Sequence, residues 1–186
     1  MHIRPARLED ANLIATVQVQ SWRTTYKNIV ADDYLQKLSV EKRREIWEKI
    51  ISQLDEQNVL FVAEDESGSI VGFASGGPNR EQEYPYDCEL YAIYLLEQVQ
   101  GKGIGRALLH TFAQAMLSRH MTSMLVWVLK DNPALHFYKK LGGTAIDDKE
   151  VEIGSKMVKE LSIGWHNLHG IVSHTEGDAI RISNKC

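Results

Sequence analysis

Gln100-Gly101-Lys102-Gly103-Ile104-Gly105-Arg106 is the richest segment of the chain, a glycine-dense turn between two apolar patterns of different period. An apolar run of strand length, residues 89–95, precedes it. The helix that follows places Ile104, Leu108, Phe112 and Ala115 on one face, with Met116 beside them. Glycines let a backbone approach a ligand closely and adopt turns that a β-carbon forbids. A helix N-terminus presents unpaired N–H groups and a positive dipole end, and both suit a phosphate. Lys102 and Arg106 add positive charge at the rim. The stretch therefore predicts a pyrophosphate or other anion site, with a plain helix start as the bland alternative.

Two familiar phosphate motifs fail on these residues. A dinucleotide fingerprint G-x-G-x-x-G would need glycine at Arg106 or at Leu108, depending on register, and no acidic residue follows about twenty positions on. A P-loop fails because Gly103 follows Lys102 and Leu96 occupies its first glycine position. The pattern that fits is Q/R-x-x-G-x-G/A, through Gln100, Gly103 and Gly105. It resembles the coenzyme A-binding motif of the GNAT superfamily of acetyltransferases.

Two further segments carry the same resemblance. Residues 132–143, from Asn132-Pro133-Ala134 to Phe137-Tyr138 and Gly142-Gly143, are similar to the family's N-x-x-A-x-x-F-Y-x-x-x-G-F segment. The alanine here follows Asn132 by two positions, and Gly143 stands where an aromatic is usual. Upstream, Ser21-Trp22-Arg23-Thr24-Thr25-Tyr26 resembles a segment of one large bacterial branch. The likeness runs from about Ile3 to Trp165.

The order of elements agrees. Residues 3–6 read as a short strand stopped by Pro5, and Asp10 reads as the N-cap of a helix carrying Leu13, Ile14, Val17 and Trp22. Asp32 or Asp33 would cap a short piece through Leu38, and Ser39 a longer helix with Ile46, Trp47, Ile50 and Leu54. Residues 59–63 and 70–74 read as a hairpin, followed by a polar loop with Gly76, Gly77 and Pro78. A strand at 125–129, a short helix at 133–141 and two strands at 144–153 and 156–165 complete the pattern. The fold class is α/β with a mixed, mostly antiparallel sheet. The resemblance implies a GNAT-like sheet of about seven strands flanked by helices, with splayed strands holding acetyl-coenzyme A. Residues 1–167 are expected to form the acetyltransferase domain, and 168–186 an extension without an assigned structure.

The resemblance also assigns roles. The main-chain amides of Gly101, Lys102, Gly103, Ile104, Gly105 and Arg106 would hold the pyrophosphate. The main chain of Ile93, Tyr94 and Leu95 would pair with the pantetheine arm, and Asn132 would hydrogen-bond to it. Tyr138 would lie near the acetyl-coenzyme A sulfur and protonate the departing thiolate. Glu89, eleven positions before Gln100, stands where histone-type members carry a glutamate base. Each has a plainer reading: a strand-edge carboxylate for Glu89, an exposed partner of Phe137 for Tyr138, a loop cap for Asn132. Trp22, Tyr26, Tyr84, Tyr86 and Asp87 are the candidates for holding the acceptor, because aromatic walls with a carboxylate suit a cationic amine.

The expected activity is acetyl transfer from acetyl-coenzyme A to a primary amine of a small molecule or a protein, by direct attack in a ternary complex. A non-catalytic acyl-coenzyme A-binding module is the alternative. A net charge of −4 and a pI of about 6.0 argue against nucleic acid or anionic lipid as general partners. No apolar stretch approaches a membrane span and no signal core is evident, so a cytoplasmic location is expected. Homodimers are frequent in the family. Cys88 and Cys186 do not make a disulfide framework. A nucleophilic Cys88 would require it to face the site, whereas alternation points it away from Glu89. His166, His169, His174 and Cys186 read as a polar tail, and no metal site is expected.

Overall fold

The computed structural model describes residues 1–173. Elements follow in the order β1 (His2–Pro5), α1 (Ala11–Thr25), α2 (Asp32–Gln36), α3 (Val40–Ser52), β2 (Val59–Glu64), β3 (Ile70–Pro78) and β4 (Cys88–Leu95). Then come α4 (Ile104–Leu117), β5 (Met124–Leu129), α5 (Ala134–Lys140), β6 (Thr144–Ile153) and β7 (Lys156–Trp165). The strands form one seven-stranded sheet in the order β1-β2-β3-β4-β5-β7-β6. Every neighbouring pair is antiparallel except β4 and β5, which are parallel.

Helices cover both faces of this sheet. On one face α4 buries Leu108, Leu109, Phe112 and Met116 against Cys88, Leu90, Val126 and Ile163. On the other, α1 and α3 bury Ile14, Val17 and Trp47 against Leu60, Val62 and Phe73. Cover on both sides explains why β2 and β3 are nearly continuous apolar runs rather than alternating ones. Each large side chain so buried contributes about 1.5–3 kcal/mol. Beyond β7, Leu168 and Ile171 are buried in the α4-side core, so the described part of the chain after residue 167 packs on the domain.

Several local expectations are met and others corrected. Ser39 caps α3, its hydroxyl accepting from the Lys42 N–H at 3.2 Å. Asp10 does not cap α1 with its side chain. A short 3-10 turn over Leu8–Asp10 runs directly into α1, so Asp10 already has helical φ and ψ of −78° and −13° and cannot adopt the extended cap conformation. Its buried carboxylate instead accepts from Arg4, at 2.7 and 3.0 Å, and from the Arg7 N–H at 2.8 Å. Asp32 and Asp33 lie inside the first turn of α2, with Ala31 at the cap position. The loop expected at Gly76-Gly77-Pro78 continues β3, paired with β2 at Gly76 and with β4 through Pro78. Pro5 ends β1, a sheet edge where its missing N–H removes no ladder bond.

Candidate active site

The site originates in a fork. Strands β4 and β5 pair only at Cys88 with Met124 and Glu89 with Leu125. Beyond Glu89, β4 stays with β3 to Leu95, while β5 stays with β7 to Leu129. A bulge at Tyr91 sharpens the divergence, because Gly76 pairs with Leu90 and the adjacent Ser75 with Ala92. The fork opens a cavity of about 980 Å³, lined on one side by residues 89–95 and on the other by Trp127, Val128 and Leu129. The edge of β4 that faces it has no neighbouring strand among the described residues, so it can receive an extended ligand as a further strand would be received.

At one end of the fork lies the glycine turn. Gly101 and Gly103 have φ of +73° and +83°, and Gly103 is the N-cap of α4. A β-carbon at either would meet no atom within 4 Å, so the glycines supply conformation and leave their surface open to a ligand. Among the described residues no side chain caps α4, and an uncapped helix start suits an anion. Gln100 donates from Nε2 to the Leu95 carbonyl at 3.3 Å and ties the turn to the end of β4. Gln100, Gly101, Gly103, Gly105 and Arg106 line the cavity. Ile104 turns its side chain into the core and Lys102 is exposed, and neither lines the cavity.

Tyr138, on α5, is buried and lines the same cavity. Its ring meets Phe137 and Trp165 edge-on, with centroids 5.3 and 6.0 Å away. Burial pushes the phenol well above its ordinary pKa, so it stays protonated and is a donor rather than a base. Gly143 departs from the family pattern for a visible reason: a β-carbon there would sit 2.6 Å from Trp165 Cζ2, so the Trp165 indole already fills that volume. Asn132 is buried, its Oδ1 accepting from the Ala134 N–H at 2.9 Å and its Nδ2 donating to the Tyr26 hydroxyl at 3.1 Å. It therefore both starts α5 and fixes Tyr26.

Glu89 is 3% exposed and faces the cavity, while Cys88 points into the α4-side core. Burial pushes the Cys88 thiol up to about 12, a poor state for a nucleophile. The Glu89 carboxylate is held by Arg80, from Nε at 2.9 Å and Nη2 at 2.5 Å, with the Arg80 N–H at 3.3 Å. Of the residues expected to hold the acceptor, Trp22 and Tyr26 line the cavity, their rings 4.5 Å apart. Tyr84, Tyr86 and Asp87 do not line it. Tyr84 is bonded to Asp147 at 2.8 Å, which lifts its phenol to about 12, and Tyr86 stacks on His166. Asp87 accepts from the N–H groups of Thr122 and Ser123 at 2.7 and 3.0 Å and fastens the approach to β5. His174 and Cys186 lie outside the described residues.

A family model for the Acetyltransferase (GNAT) family matches residues 18–143. The chain belongs to that family. The N-acetyltransferase YuaI of Bacillus subtilis, itself uncharacterized, is 42% identical over 169 residues, which span 91% of this chain and 95% of YuaI. The spermidine N(1)-acetyltransferase of Thermoplasma acidophilum is 23% identical over 86% of this chain and 96% of its own. Among solved structures, the PaiA N-acetyltransferase of Thermoplasma acidophilum in complex with coenzyme A superposes with a TM-score of 0.64, at 24% identity over 86% of this chain and 96% of that one. An N-acetyltransferase from Staphylococcus aureus Mu50 gives 0.70, at 22% identity over 90% and 98%.

As a GNAT acetyltransferase the chain is an acyltransferase, with acetyl-coenzyme A as cosubstrate. The open glycine turn and the unpaired strand edge fit that molecule's anionic and extended parts. Arg80, Glu81, Trp127, Lys149 and Glu160 are among the residues of the GNAT cavity that the sequence did not single out. Alternation along the strand from Leu125 would have turned Trp127 to the face of Glu89, but only the sheet order β5-β7-β6 brings Lys149 and Glu160 beside it.

Proposed function

We propose that this GNAT enzyme transfers the acetyl group of acetyl-coenzyme A to a primary amine by direct attack within a ternary complex. One observation carries the reading: a single cavity is lined by the glycine turn, the buried Tyr138 hydroxyl-bearing ring, and a polar group of aromatics and carboxylates. The resemblance to a spermidine acetyltransferase supports an amine as acceptor. Acetyl-coenzyme A supplies an activated thioester carbonyl. The amides of residues 101–106 take the pyrophosphate, and the main chain of Ile93, Tyr94 and Leu95 orients the pantetheine, with Asn132 closing that side. A main-chain N–H near Ile93 receives the carbonyl oxygen.

A free alkylammonium has a pKa of about 10.4, so roughly one in a few thousand is neutral at pH 7 and its proton must be removed. Glu89, buried and facing the cavity, is the group that accepts that proton. The C–N bond forms as the C–S bond breaks, and Tyr138 gives its proton to the leaving sulfur. Thiol release measured for wild type and Tyr138→Phe tests the assignment. The expected loss in kcat is about a hundredfold with acetyl-coenzyme A affinity unchanged. Unchanged turnover would remove Tyr138 from the chemistry, and an absence of turnover with every amine would leave a binding module.

A further inference from the structure

We infer that Lys149 occupies a cation subsite of the acceptor pocket, and that the acceptor carries a second positive charge which takes that place. The inference rests on the amine-transfer reading above and names the class of amine. The Lys149 Nζ lies 3.7 Å from the centre of the Trp127 ring and 2.7 Å from Glu81 Oε1. An ammonium over an indole face, backed by a carboxylate, is the arrangement by which proteins bind alkylammonium ligands. All three residues line the cavity that Tyr138 also lines.

A third group completes the subsite. Register pairs Leu129 with Glu160 and Glu160 with Lys149, which sets Glu160 and Lys149 side by side on adjacent strands. Arg80 is taken by Glu89 and Lys149 by Glu81. Glu160 lines the cavity half-buried, and its carboxylate has no hydrogen bond or ion pair among the described residues. Burial pushes its pKa up, and the neighbouring Lys149 charge offsets this only in part. Lys149 is a tether easily displaced: its side chain is 37% exposed, and a cation–π contact of this kind contributes only about 0.5–2 kcal/mol. A diamine can present one neutral nitrogen for transfer and leave the other protonated between Trp127, Glu81 and Glu160. A monoamine cannot.

Calorimetry on the protein saturated with free coenzyme A, where no transfer occurs, tests this with putrescine and butylamine as probes. Putrescine should bind at least about tenfold more tightly, the scale of one desolvated cation contact. Glu160→Gln, an isosteric change, should weaken putrescine binding at least about tenfold. Lys149→Met should tighten putrescine binding severalfold. Unchanged coenzyme A affinity reports that each variant is folded. Equal affinity for the two amines, unchanged putrescine affinity in Glu160→Gln, or weaker putrescine binding in Lys149→Met would each overturn the subsite. Thiol release with butylamine but no preference for putrescine would leave the transfer reading standing and sink this one. A putrescine preference without thiol release would sink the transfer reading and leave a diamine-binding site that is no acceptor site.

Discussion

Arg80 grips both carboxylate oxygens of Glu89 while its guanidinium lies 4.0 Å over the centre of the Tyr91 ring. The contact joins the segment after β3 to the inner edge of β4, and it fixes Glu81, the next residue, near Lys149. Removing Arg80 would leave a buried carboxylate without its counter-charge. A fully buried pair broken this way loses about 3–5 kcal/mol, and discounting for an Arg80 side chain that is 61% exposed gives roughly 2 kcal/mol. Arg80→Ala should therefore lower the free energy of urea unfolding by about that amount. A loss under about 0.5 kcal/mol would mean that water replaces the guanidinium at little cost.

Gly103 tests the turn. An alanine there must hold φ near +83° with its β-carbon in open space, so the strain is in the backbone, about 1–2 kcal/mol. Gly103→Ala is expected to weaken acetyl-coenzyme A about tenfold by calorimetry while the protein remains folded. Affinity equal to wild type would show that the left-handed conformation is not needed for binding.

Asp10 gives a pH signature away from the site. Hydrogen bonding from Arg4 holds its carboxyl below the usual range despite burial. A carboxylate depressed in the folded state adds stability that is complete above its unfolded pKa, about 4, and is lost as pH falls through the folded value. The stability gap between wild type and Asp10→Asn should be constant from about pH 5 to 8 and shrink below about pH 4. Chemical denaturation across that range measures it, and a gap that widens on acidification would reverse the assignment.

Cys88 separates direct attack from an acyl-cysteine route. Its buried thiol, near 12, donates to the Ser123 carbonyl at 3.2 Å on the core side of the sheet. Cys88→Ala should keep kcat within about twofold of wild type, although stability falls by about 1–2 kcal/mol. A collapse of turnover in a folded variant would require a covalent intermediate.

The sequence was most legible where chemistry is local. Residues 144–153 and 156–165 become β6 and β7 to the residue, with Gly154 at φ +66° in the turn between them. The glycine turn, the α4 face and the Ser39 cap likewise depend on neighbours a few positions away. Asp10 misled because the 3-10 turn before it, which denies it a cap conformation, has no sequence marker. The extension of β3 through Gly76 and Gly77 depends on partners on either side rather than on β-propensity. In the cavity, the segments of the family pattern led to Tyr138, Asn132 and the glycine turn. Arg80, Glu81, Lys149 and Glu160 belong to no such segment and meet only through sheet order and the Tyr91 bulge. Tyr84, Tyr86 and Asp87 had suitable chemistry but are turned to structural partners.

The most direct test of the account is isothermal titration of the protein with acetyl-coenzyme A, with free coenzyme A and NAD in parallel. Micromolar binding of both coenzyme A species and none of NAD is expected, since the fork and the turn fit a pantetheine pyrophosphate and lack a dinucleotide fingerprint. Failure of both coenzyme A species to bind would contradict it, and the fork between β4 and β5 would then need another occupant.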